Sequence, residues 1–166
     1  EPKTVTPVFL PAKTVTPDGA ETPQQAIDSF GAEGGVGILS EGIYTYDAVA
    51  PAMHLTTPVI VRGAGRDKTV IDGQGCAMRA VTLANANAVV VGVAISNCAG
   101  GTSQAGSAAG MGLLVTASGG TFTDGAVIGC TNTSGVGAAA ALGGRISHSF
   151  IRYNKARSGG GLYLDG

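Results

Sequence analysis

Short apolar runs broken by glycine dominate this chain from Val36 onward. They are Val36–Leu39, Ile43–Tyr46, Pro58–Val61, Thr69–Ile71, Ala80–Leu83, Val89–Ile95, Met111–Val115, Thr121–Ile128, Arg145–Arg152 and Leu162–Leu164. Runs this short, bounded by Gly, Asn, Asp and Ser, read as brief strands. One helix is predicted ahead of them. Thr22 can cap it, Pro23 fits the first helical position and Gln25 completes a capping box. Ala26, Ile27 and Phe30 then share one face, and Gly31 ends the helix. Residues 1–21 read as an extended Thr/Val/Pro arm: Lys3-Thr4-Val5-Thr6-Pro7 recurs as Lys13-Thr14-Val15-Thr16-Pro17. The arm either lies on the domain or a neighbouring molecule, or is a loosely ordered leader.

The runs repeat. Val90, Phe122 and Ile146 are followed five residues later by Ile95, Val127 and Ile151, and eight residues later by Cys98, Cys130 and Asn154. An apolar triplet precedes each block, Val81-Thr82-Leu83, Leu113-Leu114-Val115 and Ala140-Ala141-Leu142, and Leu162-Tyr163-Leu164 opens a fourth. The steps are 32 and 24 residues, and Gly/Ala/Ser-rich stretches at 99–110 and 131–138 absorb the difference. A constant core register with insertions at one corner is what stacked coils produce, because no coil buries its apolar face alone. The period predicts an all-β parallel β-helix, a β-solenoid, over residues 22–166. It has about five coils, the short helix as its N-terminal cap, and an uncapped C-terminal end. A leucine-rich repeat shares the period, but its Leu and Asn spacing is missing.

Composition narrows the classes further. Of 166 residues 28 are glycine, which with the small-residue bias speaks against a helical bundle, and the lack of a three-residue glycine period excludes collagen. Charged residues are only 13% and the net charge is −1, which argues against nucleic acid or an anionic membrane held by bulk electrostatics. No apolar run reaches the roughly 18 residues of a membrane helix, so no membrane insertion is expected.

The stretch Gly35-Val36-Gly37-Ile38-Leu39-Ser40-Glu41-Gly42-Ile43-Tyr44, after a cap helix, resembles the opening of pectin-lyase-like β-helix proteins. Pro58–Gly73 is similar to that superfamily's second coil, and Ile95-Ser96-Asn97-Cys98 and Ile151-Arg152-Tyr153-Asn154 resemble its generic coils. The resemblance implies a right-handed single-stranded parallel β-helix. It implies no single chemistry, since the superfamily holds lyases, hydrolases and esterases beside adhesins and surface proteins without a known reaction.

Enzymes on such a scaffold gather acids and bases on the outside of one sheet. Here the outward rows, Val91/Thr123/Ser147, Ala94/Ala126/Phe150 and Ser96/Ile128/Arg152, are nearly free of ionisable groups. One polar pair emerges: Asp124 and His148 share the bend position of Gly92 and should lie about one coil apart. They are weak candidate ligand-binding residues, with a hydrogen-bonded corner as the plainer role. Arg62, Arg66, Asp67, Lys68 and Asp72 read as a solvated loop, and His54 as a surface residue without a role. Cys98 and Cys130 occupy one stacked position within disulfide range, and stacked thiols are the plainer arrangement. Asn154 continues this core ladder in a slot where the resemblance implies stacked asparagine. The cysteines give no zinc pattern, and no catalytic residue, metal or cofactor is implied.

The chain stops at Asp165-Gly166 in mid-coil. The solenoid either continues in a longer parent, the plainer expectation, or is closed by another copy. The expected partners are therefore a second copy, through the open C-terminal coil and the N-terminal arm, and a polysaccharide. The expected function is that of a secreted or cell-surface solenoid, structural or adhesive and able to assemble into a filament, rather than an enzyme. The alternative is the N-terminal part of a polysaccharide lyase or hydrolase whose catalytic coils lie beyond the chain end.

Overall fold

The computed structural model describes residues 10–46, 51–100 and 109–165. The first copy of the repeated arm motif, Lys3–Pro7, and most of the Gly/Ser-rich insertion at 101–108 lie outside them. A leading strand β1 (Ala12–Val15) and helix α1 (Pro23–Asp28) precede five coils. Coil one holds β2 (Val36–Leu39), β3 (Gly42–Thr45) and β4 (Met53–Leu55), and coil two holds β5 (Ile60–Gly63), β6 (Thr69–Asp72) and β7 (Val81–Leu83). Coil three holds β8 (Val89–Val91), β9 (Ala94–Ser96), β10 (Ala99–Gly100) and β11 (Leu113–Val115). Coil four holds β12 (Thr121–Thr123), β13 (Ala126–Ile128), β14 (Thr131–Val136) and β15 (Ala139–Ala141). Coil five holds β16 (Arg145–Ser147), β17 (Phe150–Arg152), β18 (Lys155–Ser158) and β19 (Leu162–Leu164).

Strands of equal rank stack into three long parallel sheets, ordered β1-β2-β5-β8-β12-β16, β3-β6-β9-β13-β17 and β4-β7-β11-β15-β19, with β10-β14-β18 as a short fourth. The chain is a parallel β-solenoid. Val90, Phe122 and Ile146 are direct partners along the first sheet, and Ile95, Val127 and Ile151 along the second, as the repeat predicts, and Val61 and Ile71 extend the two rows into coil two. The inward members of coils two to four are fully buried. Phe122 is the largest of them, and it fits because the next corner is glycine: a Cβ on Gly125 would lie 2.3 Å from the Phe122 ring.

The third sheet corrects one expectation. Its register pairs Leu113–Val115 with Ala139–Ala141, one residue earlier than Ala140–Leu142. A run of alanines carries no size signal to fix register, and a one-residue slip reverses which side chains face inward. Leu142 instead packs beside Ala109, Leu114 and Ala140 in a small cluster outside the main core. The single runs 89–95, 121–128 and 145–152 each divide into two strands at Gly92, Asp124 and His148, where φ is +70°, +50° and +48°. Left-handed backbone turns the chain there from the first sheet to the second. A second such corner follows at Asn97, Gly129 and Tyr153, with φ of +53°, +64° and +57°.

At the N-terminal end, α1 packs on β4, β2 and β1 and buries Ala26 and Ile27; it stops at Asp28 with Ser29 as its C-cap, short of the expected end at Gly31, and Phe30 is buried in the turn beyond it. Thr22 and Gln25 form the capping box, and Gln24 binds the backbone of His54 at both N–H (2.6 Å) and C=O (3.4 Å). Part of the extended arm belongs to the sheet, since β1 pairs with β2 from Ala12↔Val36 to Val15↔Leu39. Inside the solenoid the buried Arg79 donates from Nε to Gly110 C=O and from Nη2 to Ala109 C=O, both at 2.8 Å. Burial lowers its guanidinium pKa from the ordinary value.

Candidate functional site

The corner between the first and second sheets carries the polar pair singled out in the sequence. Asp124 N–H donates to Ser147 C=O at 3.3 Å, so Asp124 and His148 occupy adjacent rungs. Asp124 accepts from its neighbour Thr123 Oγ1 at 3.4 Å, and among the described residues no hydrogen bond or ion pair joins it to His148. His148 C=O accepts from Arg66 Nη1 at 3.0 Å.

Arg66 is the residue that the linear reading placed in a solvated loop. Its loop bulges from coil two over coil three, where Gly65 N–H donates to Gly92 C=O at 3.1 Å, and its side chain reaches coil five. The guanidinium carbon lies 4.0 Å from the centre of the Phe150 ring, and Arg152 lies 5.7 Å from Phe150 and 5.5 Å from Tyr153. The outward row Ala94/Ala126/Phe150 therefore differs from its expected character: the two alanines are buried, whereas Phe150 is 49% exposed. Tyr153, 81% exposed with φ of +57°, completes an arginine–aromatic surface on coil five. Arg66 and Phe150 are 84 positions apart, so only coil stacking brings them together.

On the opposite side of the second sheet lies a sulfur ladder. Ala99, Thr131 and Lys155 donate their N–H groups to Cys76, Cys98 and Cys130 C=O at 3.1, 2.7 and 2.9 Å. These equivalent bonds place Cys76, Cys98, Cys130 and Asn154 at one position in four successive coils. The sequence revealed three rungs and missed Cys76. Asp72 pairs with Ser96, yet Cys76 lies four residues beyond Asp72 and Cys98 only two beyond Ser96. The two extra residues fall within the turn Gly73-Gln74-Gly75, which hides the match.

All three cysteines are thiols; Cys98 and Cys130 are buried and Cys76 is half-buried. Met78 N–H donates to Cys76 Sγ at 3.4 Å, and Tyr46 O–H lies 3.0 Å from Met78 C=O and 3.5 Å from Cys98 Sγ. Cys98 and Cys130 are in hydrogen-bond contact, which is the largest cause of the upward shift of Cys98 and the downward shift of Cys130. Asn154 closes the ladder by accepting Cys130 N–H at 2.8 Å and donating to Val127 C=O at 2.9 Å.

A cleft of about 310 Å³ near the N-terminal end has Thr22, Gln24, Tyr44, Tyr46 and Ala52 among its walls. The Tyr44 hydroxyl is taken up by Val15 C=O at 2.7 Å, and that of Tyr46 by Met78 and Cys98. Among the described residues, no group of three or more His, Cys, Asp or Glu is disposed to hold a metal ion, and no helix is long and apolar enough to cross a membrane. Comparisons with protein-family models, curated proteins and solved structures found no match to this chain.

Proposed function

We propose that this chain is an extracellular or cell-surface β-solenoid of the pectin-lyase-like kind, with a structural or adhesive role. The observation that carries the reading is the chemistry of the outer rows in coils three and four. The half-buried Val89, Val91, Ser96, Thr121, Thr123 and Ile128 line two sheets without one ionisable side chain. General acid–base or metal-assisted cleavage of a glycan needs such groups on neighbouring rungs. Apolar and hydroxyl side chains in these rows suit contact with an extended partner, such as a polysaccharide or a second rod.

Assembly end to end belongs to the same proposal. Strands β1 and β16 are the two edges of the first sheet, and an unpaired edge is a template for a further strand. The seam would be made chiefly by β16 of one copy and β1 of the next, the two edge strands of that sheet. Light scattering and electron microscopy of the chain with and without residues 1–18 test this, and assembly unchanged by the deletion defeats the end-to-end seam. A polysaccharide binding and cleavage screen tests the rest. Cleavage by the chain or a longer parent would favour the lyase or hydrolase alternative.

A further inference from the structure

The sulfur ladder is open at one end. Cys76 is half-buried, and Cys98 and Cys130 on the next two rungs are fully buried. All three keep one backbone register, so each sulfur has its next neighbour at about the coil spacing, near 5 Å between Cα atoms, which a disulfide spans. We propose that Cys76, Cys98 and Cys130 form a thiol-oxidation site that takes a small-molecule disulfide at Cys76 and ends as a Cys98–Cys130 disulfide across coils three and four. The inference is independent of the functional reading above.

The chemistry runs in three exchanges. Cys76 gives its proton to solvent, and its thiolate attacks one sulfur of oxidised glutathione. The protein–glutathione bond forms, the glutathione disulfide breaks, and one glutathione leaves as a thiolate that takes up a proton. Cys98, deprotonated, then attacks Cys76 Sγ and expels the second glutathione, leaving a Cys76–Cys98 disulfide. Finally the Cys130 thiolate attacks Cys98 Sγ, and Cys76 departs and is reprotonated. Two protein thiols are oxidised and one glutathione disulfide is reduced to two thiols.

The last exchange moves the bond from a half-exposed pair to a buried one, where reductants in solvent cannot reach it. Tyr46 holds the crossing point, with Met78 C=O and Cys98 Sγ both within reach of its hydroxyl.

The experiment treats the full chain with oxidised glutathione and maps the linked cysteines by mass spectrometry of unreduced peptides. The wild type should yield Cys98–Cys130 with Cys76 as a thiol, Cys130→Ser should stop at Cys76–Cys98, and Cys76→Ser should form Cys98–Cys130 at least about tenfold more slowly. In denaturant, where burial is removed, wild type and Cys76→Ser should oxidise at similar rates. Alkylation of the oxidised wild type needs no variant and should label Cys76 alone. Oxidation of Cys76→Ser at the wild-type rate overturns the proposal, as does a wild type that stops at glutathionylated Cys76 or stays reduced, or alkylation at Cys98 or Cys130.

Discussion

Coils four and five follow one backbone path with opposite surfaces. Phe122 pairs with Ile146, Ala126 with Phe150, Ile128 with Arg152 and Thr131 with Lys155, and both corners keep left-handed residues. Coil four is nearly uncharged, with Asp124 alone, whereas coil five carries Arg145, Arg152, Lys155 and Arg157. Backbone register in a solenoid therefore rests on the inward row and the corner geometry. The outward positions are free to change from one rung to the next, and a binding surface can be written on one coil without disturbing its neighbour.

The comparison can be broken most forcefully at the inward row. Phe122→Ala should cost about 3–5 kcal/mol in urea unfolding, while Ile146→Ala at the equivalent but half-buried place should cost clearly less. Equal losses would mean that coil five is packed as tightly as coil four. Next comes the contrast between two arginines. Arg79→Ala deprives two buried carbonyls of their donor and should cost about 2–4 kcal/mol, against about 0.5 kcal/mol or less for the exposed Arg152→Ala.

Smaller effects test the sulfur corner and the turns. Burial, aided by the thiols around it, holds the Tyr46 hydroxyl above its ordinary pKa, so the fold retains a proton that the unfolded chain releases above about pH 10. The stabilisation is complete below that pH and is lost as pH rises further. Tyr46→Phe should be about 1 kcal/mol less stable at neutral pH, with a shallower alkaline decline in a pH series of thermal melts. Tyr153→Gly and His148→Gly should each raise stability by up to about 1 kcal/mol, since Gly129 and Gly92 hold the equivalent left-handed corners in coils four and three. A loss at His148 would show that its imidazole, and not only its C=O, holds Arg66. Arg66→Ala should cost less than about 1 kcal/mol in calorimetry, the size of an exposed cation–π contact with one hydrogen bond.

Much of the solenoid can be read along the chain because its register is repetitive. The spacing of Val90, Phe122 and Ile146 to their partners five residues on holds wherever side-chain size differs between inside and outside. It fails at 138–141, where four alanines look alike, and at Cys76, where a two-residue insertion shifts the rung. The candidate surface was less legible. Asp124 and His148 were found because they share a register position, but adjacency of rungs does not set the direction of side chains. Arg66 was passed over because a loop residue has no periodic place.

The sequence alone determined the kind of object this is: a capped stack of coils, each too small to bury its own apolar face. Thr22 and Gln25 determined the cap, and the glycine, aspartate and asparagine corners determined where the chain bends. Only the tertiary structure decided which distant residues meet. Arg66 reaches Phe150 across two intervening coils, and Cys76 joins Cys98 and Cys130 at one level. The reason is physical: inward spacing is fixed locally by a two-residue period and repeated burial, whereas contacts along the axis depend on how much chain each loop takes up between rungs.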